Sequence, residues 1–246
     1  MRAMILAAGL GTRLRPLTDD RPKALVEIDG RSLLEIALAR LRHFGITEVV
    51  VNIHHFADKV TDYLRAHDNF GMRIEISREE ELLDTGGGLL KVAPFFLEHP
   101  GDEPFIVHNV DVLSSIDLGR MLQFHREERA LATLAVQHRQ SSRQLLFDER
   151  SRLCGRQSHS NTPEIVRPAA LPRAFAFCGI HVISPQIFPE ISERGVFPIV
   201  PVYLRLAAEG HPILAFDAND YYWRDLGKPE SLQQASRDLQ QKILSQ

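Results

Sequence analysis

Two cysteines and a single tryptophan occur in 246 residues, and no apolar stretch approaches the ~18 residues of a membrane-spanning helix. Cys154 and Cys178 have neither zinc-ligand nor redox spacing, which argues against a disulfide framework and a cysteine metal site and leads us to expect a reducing, cytoplasmic setting. No charge sign dominates: 29 basic residues face 32 acidic ones, for a net charge of -3. That balance excludes a broadly basic nucleic-acid binder but leaves room for a local basic site. Residues 3–8 are apolar, yet Gly9 and Arg13 follow too soon for a signal peptide. Repeats, low-complexity tracts and linkers are also missing, so residues 1–246 are expected to form one domain. What remains is an ordinary folded composition, 44% hydrophobic and 25% charged.

The chain alternates between strand and helix patterns up to about residue 130. Residues 3–7 and 49–53 are short apolar runs that read as buried strands. Residues 73–77 alternate Ile74 and Ile76 with charges, and residues 105–109 form another apolar run. Between them lie helical stretches. Ser32 and Glu35 make a capping box ahead of Leu33, Ile36, Ala37 and Leu41, and Gly45 ends that helix. Residues 56–67 carry Val60 and Leu64 on one face. Thr85 is placed to cap a helix reaching about residue 92, and Asp117 to cap residues 118–128. This succession predicts an α/β fold with a mixed, mostly parallel, Rossmann-like sheet covered by helices on both faces. Beyond residue 131 strands dominate (131–136, 144–147 and 175–183), and helices return at 201–208 and 229–243. This second half is expected to pack on the same sheet.

Ligand sites in such sheets gather where strands end and helices begin. The first strand runs into Ala8-Gly9-Leu10-Gly11-Thr12-Arg13. Two glycines there fit either a tight turn or a cradle of backbone N–H groups for an anion. The spacing is neither a dinucleotide fingerprint nor a Walker A loop. Arg13, Arg15, Arg21 and Lys23 favour the cradle, because crowded cations repel unless solvated or facing an anion such as a polyphosphate. Glu79-Glu80-Glu81 reads as a solvated loop or as carboxylate recognition of a base. His54-His55 reads as a loop after a strand. Arg139 and Arg143 are either solvated or phosphate ligands.

The run Gly9-x-Gly11-Thr12-Arg13-Leu14-x-Pro16 with Pro22-Lys23 resembles the signature of sugar-1-phosphate nucleotidylyltransferases. The resemblance continues in order through Thr85-Gly86-Gly87-Gly88, Asn109-Val110-Asp111, Phe177-Cys178-Gly179-Ile180 and Trp223-Arg224-Asp225-Leu226-Gly227. It looks closest to the bacterial N-acetylmuramate-1-phosphate uridylyltransferases, with mannose-1-phosphate guanylyltransferases the nearest rival. The resemblance implies the nucleotide-diphospho-sugar transferase fold, with residues 1–130 holding the nucleotide and 131–246 the acceptor. It implies transfer of a nucleotidyl group from a nucleoside triphosphate, UTP favoured, to a sugar 1-phosphate in nucleotide-sugar biosynthesis. Arg13 and Lys23 would then be catalytic. Ala8, Gly9, Gly11, Thr12, Gly87 and Glu79 would bind the nucleotide. Asn109, Gly179, Arg139, Arg143 and Lys228 would bind the acceptor, and Asp111 and Asp225 would share one Mg²⁺.

The chain departs from that pattern at named positions. Val110 replaces a glycine, Lys228 a threonine and Asp84 a glycine, and no Glu-Lys-Pro segment supplies a lysine to the sugar phosphate. These departures bear on the acceptor more than on the reaction. They leave open an enzyme for another phosphate such as phosphocholine, and a non-catalytic nucleotide-sugar sensor or scaffold. The combination of Arg13, Lys23, Asp111 and Asp225 favours an enzyme, since a scaffold needs no such set of charges. Neither nucleic acid nor membrane is an expected partner.

Overall fold

A computed structural model describes residues 1–98, 102–158 and 161–240. The first apolar run forms β1 (Arg2–Leu6). A short hairpin, β2 (Glu27–Ile28) and β3 (Arg31–Ser32), leads into α1 (Leu33–His43). Ser32 caps α1 as its sequence demands, its hydroxyl accepting from the Glu35 N–H at 3.0 Å. Then come β4 (Glu48–Ile53), α2 (Ala57–Ala66), β5 (Arg73–Arg78), α3 (Asp84–Lys91) and α4 (Ala93–Leu97). They are followed by β6 (Phe105–Asn109), β7 (Val112–Ser114) and α5 (Leu118–Glu127), which Asp117 caps through the Arg120 N–H at 2.9 Å.

The second half is mainly strand: β8 (Ala132–Gln137), β9 (Arg143–Phe147), β10 (Leu153–Ser158), β11 (Asn161–Ile165) and β12 (Arg173–Ile183). After these come α6 (Ile187–Glu190), α7 (Ile199–Ala208), β13 (Ile213–Asp217), β14 (Trp223–Asp225) and α8 (Pro229–Gln240). No helix among the described residues is long and apolar enough to cross a membrane.

One mixed sheet joins both halves in the order β11-β10-β9-β12-β6-β1-β4-β5, with β8 paired to β12 and β13. Its run β6-β1-β4-β5 is parallel throughout, and β12 lies antiparallel to β6. The central parallel strands β1, β4 and β6 are covered on both faces, which is why they read as continuous apolar runs. Alternate residues serve opposite cores. Ile5, Val51 and Ile106 pack with Leu34 and Leu38 of α1, Val60 of α2 and Leu118 of α5. Met4, Val50 and Phe105 pack on the other face with Leu89 of α3, Phe96 of α4 and Val202 of α7. Burying each such leucine stabilises by roughly 1.5–3 kcal/mol.

Several local expectations are corrected. Thr85 does not cap α3; it lies inside the helix, and its hydroxyl accepts from the Ile199 N–H at 3.0 Å. That bond ties α3 to α7 instead. The strands β10, β11 and β13, the β7–β14 ribbon and the short helices α4 and α6 have no counterpart in the sequence reading. β11 carries Pro163, which an edge strand tolerates but a strand search discounts. Leu232 and Ala235 of α8 are buried, and residues 241–243 of the helix expected over 229–243 lie outside the described residues.

Candidate active site

Parallel strands deliver their C-terminal ends to one edge, and there Leu6 pairs in register with both Asn52 and Asn109. The Ala7 N–H donates to Asn52 Oδ1 at 2.7 Å, and Asn52 Nδ2 donates to Glu79 Oε1 at 2.7 Å. Glu79 Oε2 in turn accepts from the Leu83 N–H at 3.0 Å. Glu79 is 2% exposed, so it is not a solvated loop residue, whereas Glu80 and Glu81 are exposed. Both of its oxygens brace the start of the glycine loop against the 79–83 segment. His54 joins the brace, its Nδ1 lying 2.9 Å from the Glu79 carbonyl. A Cβ at Gly88 would come within 2.8 Å of Glu79 Oε1, so this glycine makes room for the carboxylate.

The glycine loop closes over Lys23. Gly11 has a left-handed backbone (φ +65°), and a Cβ there would meet both Lys23 Cβ and Thr18 Cγ2 at 3.0 Å. The Thr18 hydroxyl donates to the Gly11 carbonyl at 2.9 Å. Buried Leu14 anchors the turn that leaves Thr12 and Arg13 exposed.

The two aspartates meet through the β7–β14 ribbon. Asp225 pairs in register with Val112, the neighbour of Asp111, and the Leu226 N–H donates to the Asp111 carbonyl at 2.8 Å. Asp111 is 8% exposed and forms an ion pair with Lys23. Asp225 Oδ1 accepts from the Gly227 N–H at 2.7 Å. A Cβ at Gly227 would lie 2.6 Å from Arg13 Nη2 and 2.7 Å from Asp225 Oδ1, so the guanidinium lies over this glycine beside the carboxylate. The Lys23–Asp111 pair and the Asp225–Arg13 neighbours thus lie on adjoining backbone segments and line adjoining cavities. Among the described residues, no cluster of three or more acidic, histidine or cysteine ligands forms there.

Three cavities converge on Asn109. The first, ≈ 390 Å³, is walled by Ala8, Gly9, Lys23, Glu79 and Asp111, with Leu82 and Val196 as exposed apolar sides. A second, ≈ 430 Å³, gathers Arg13, Arg139, Gly179, Asp225 and Lys228. The third, ≈ 630 Å³, includes Arg143, Gln144, Arg156 and Glu164. Gly179 sits in a bulge of β12 at φ +70°, where a Cβ would approach Asn109 Nδ2 to 2.6 Å. Arg139 and Arg143 are therefore separated: they end up in different cavities, one after β8 and the other opening β9.

Arg139 is held in place. Its Nη2 donates to the Phe177 carbonyl at 2.7 Å, and its guanidinium carbon lies 3.8 Å from the Trp223 ring centroid. Among the described residues its Nε is buried without a partner, and burial lowers its pKa from the ordinary arginine value. Trp223 is fixed by its own indole N–H on the Cys178 carbonyl at 2.7 Å. Burial pushes the Cys178 thiol up to about 12, which leaves it protonated and unreactive. Lys228 opens α8: its carbonyl accepts from the Ser231 and Leu232 N–H groups at 3.1 and 3.2 Å, and its side chain is exposed. An Arg224–Asp238 ion pair at 2.8 Å, with the Tyr222 hydroxyl donating to Asp238 at 2.6 Å, clamps α8 to β14.

Gly87 does not face a cavity. Its N–H donates to the Phe197 carbonyl at 3.1 Å, and a Cβ there would collide with the Gly195 carbonyl. The close backbone approach it permits is that of its own chain. Sequence reasoning missed Asn52, Gly227 and Trp223 as parts of the site; Gly227 and Trp223 lie beside Asp225, and that adjacency was the available signal.

Residues 2–145 match the family described as nucleotidyl transferase. The chain is 33% identical over 240 residues to the N-acetylmuramate alpha-1-phosphate uridylyltransferase of Caulobacter vibrioides, covering 93% of each chain. It is 30% identical over 257 residues to a UTP–glucose-1-phosphate uridylyltransferase of Synechocystis sp., of which it spans 63%. Its fold matches a crystal structure of UDP-glucose pyrophosphorylase complexed with UDP-glucose, with a TM-score of 0.76 at 21% identity and 98% of each chain covered.

Proposed function

Because the chain belongs to the nucleotidyl transferase family and is a sugar-1-phosphate nucleotidyltransferase, we propose that it uses UTP, releases pyrophosphate and requires Mg²⁺. The observation that carries this reading is that Lys23 with Asp111 and Arg13 with Asp225 line two cavities that share Asn109, on backbone segments tied together by the β7–β14 ribbon. The reaction forms a bond between an acceptor phosphate oxygen and the α-phosphorus, and breaks the bond from that phosphorus to the departing pyrophosphate. The attacking oxygen is already ionised, so no general base is required. The chain's task is to align two polyanions and offset their repulsion.

In this reading Gly9, Gly11 and Thr12 cradle the triphosphate and Arg13 holds the departing pyrophosphate. Lys23, pre-placed by Asp111, meets the charge growing on the α-phosphoryl group. Leu82 and Val196 flank the base. The Glu79 carboxylate already accepts from Asn52 and Leu83, so it braces the pocket wall and does not read the base; the choice of uracil rests on the likeness to uridylyltransferases. Arg139, Lys228, Asn109 and the Gly179 bulge receive the acceptor's phosphate. Arg143 lies farther along, on the sugar side. Asp111 and Asp225 each keep one carboxylate oxygen free of protein partners among the described residues, and such hard donors suit Mg²⁺ completed by phosphate oxygens. When bound, that ion would supply positive charge that offsets the repulsion between the substrates. The buried, unpaired cysteines suit a reducing cytoplasm.

The test is a matrix of UTP, GTP, dTTP and CTP against the 1-phosphates of glucose, mannose and N-acetylmuramate, read by pyrophosphate release with and without Mg²⁺. Turnover fastest with UTP and absent without the metal is expected. A preference for GTP overturns the base assignment. Tight binding of a finished nucleotide sugar with no turnover in any combination overturns the enzyme reading.

A further inference from the structure

Asp84 has a free carboxylate oxygen and no cation or side-chain partner among the described residues; of the other cleft carboxylates this holds only for Asp225, assigned above to the metal. Asp111 is paired with Lys23, Asp225 lies beside Arg13, Glu164 is held by Arg156 at 2.6 Å, and Glu79 is occupied by Asn52 and Leu83. Asp84 Oδ1 accepts from the Thr85 N–H at 2.6 Å, which fixes the side chain and leaves Oδ2 without a partner. Its backbone is left-handed (φ +60°), a conformation that favours glycine, yet the chain carries a side chain there. Asp84 is also a shared wall of the ≈ 390 Å³ and ≈ 630 Å³ cavities.

Asp84 is exposed and served by water in the free protein, but once two polyanionic substrates fill the cleft its charge repels both of them unless it faces a hydrogen-bond donor. An ionised carboxylate accepts only, so its ligand must offer O–H or N–H. Besides Asp84, the wall of the larger cavity supplies the cation Arg143 and neutral side chains such as Gln144 and Gln157, whose amides are joined to each other at 2.9 Å, and its other carboxylate, Glu164, is taken by Arg156. A sugar ring presents several hydroxyls, and Asp84 is the free anionic acceptor available to them. We infer that Asp84 reads a ring hydroxyl or amide N–H of the acceptor sugar and sets which sugar 1-phosphate is used. This assignment rests on the nucleotidyltransferase reading above.

The experiment takes whichever 1-phosphate of glucose, mannose or N-acetylmuramate the wild type turns over, together with analogues lacking the C2, C3 or C4 substituent in turn. One analogue should lose about 10–100-fold in kcat/KM, the range for a hydrogen bond to a charged group. Asp84→Gly, which also relieves the left-handed backbone, should lose a similar factor on the full substrate and little more on that analogue, with an unchanged or raised Tm. The ratio of UTP to 2′-deoxy-UTP should stay the same in both proteins. Full discrimination retained in Asp84→Gly overturns the assignment. So does a change confined to the UTP ratio, which would move Asp84 to the ribose, and so does a uniform loss with a lowered Tm. Absence of turnover by the wild type with all three sugars instead removes the underlying reading, and this assignment with it.

Discussion

Asn52 and Glu79 are joined by a 2.7 Å hydrogen bond beneath the glycine loop, and through them the end of β1 is tied to the segment entering α3. Both residues are buried, so a break in this chain leaves polar groups without water.

Glu79→Ala is accordingly expected to destabilise the protein by about 1–3 kcal/mol for each donor it strands, here Asn52 Nδ2 and the Leu83 N–H. It should also raise the KM for the nucleotide, because Ala7 and the loop that follows lose their support. Urea unfolding checks the first effect and initial rates the second. Unfolding indistinguishable from wild type would contradict the brace.

Asp111→Asn and Asp225→Asn remove charge and little volume. Each should lower kcat by orders of magnitude while leaving the unfolding midpoint nearly in place. Gly227→Ala tests the same point from the other side, since its new Cβ would sit 2.6 Å from the Arg13 guanidinium. A loss of kcat at least tenfold is expected, with fold and acceptor binding intact. Steady-state rates beside circular dichroism distinguish these outcomes from misfolding.

The parts of this site that were legible in the sequence are those built by local pattern. Residues 3–7, 49–53 and 105–109 announce themselves because strands buried on both faces are apolar throughout. The Ser32 and Asp117 caps need only neighbours in sequence. The β7–β14 ribbon was illegible, since each strand has three residues and their pairing spans more than a hundred positions. Resemblance, not periodicity, brought Asp111 and Asp225 together. The division of Arg139 from Arg143 depends on how β8 and β9 pair with β12, which no local pattern encodes. Thr85 misled because a hydroxyl ahead of a helix looks like a cap whether it accepts from its own helix or from α7.

Three buried histidines give the protein a distinctive response to acid. Burial lowers His108 and His125 from 6.5 to about 4, and His181 to about 3. The unfolded chain therefore takes up these protons first as pH falls below 6.5, and stability drains away until the folded values are reached. Above pH 6.5 the contribution is fully present. The stabilised carboxylates Asp148, Asp238 and Glu193 lose their contribution only near and below their ordinary values of 3.8 to 4.5. The window from pH 6.5 to 5 thus isolates the histidines. The urea midpoint should fall steadily across it, and a flat profile would contradict their burial as neutral rings.

Lys228 sets binding against stability. It occupies the residue before α8, where its carbonyl accepts from Ser231 and Leu232, and its exposed side chain lines the same cavity as Arg139 and Asp225. A cation at a helix N-terminus is unfavourable by about 0.3–1 kcal/mol, and a threonine cap in its place adds a side-chain acceptor worth roughly 1 kcal/mol. Lys228→Thr should therefore raise the Tm of the free protein by a few degrees. If the free N–H groups of α8 and the Lys228 ammonium hold the acceptor's phosphate together, the same change should raise the acceptor's KM about tenfold and leave that of UTP alone. The two effects have opposite signs, so one variant separates them. A raised Tm with unchanged acceptor kinetics returns Lys228 to the surface and leaves Arg139, stacked on Trp223 with its Nε unpaired among the described residues, as the cation that receives the phosphate.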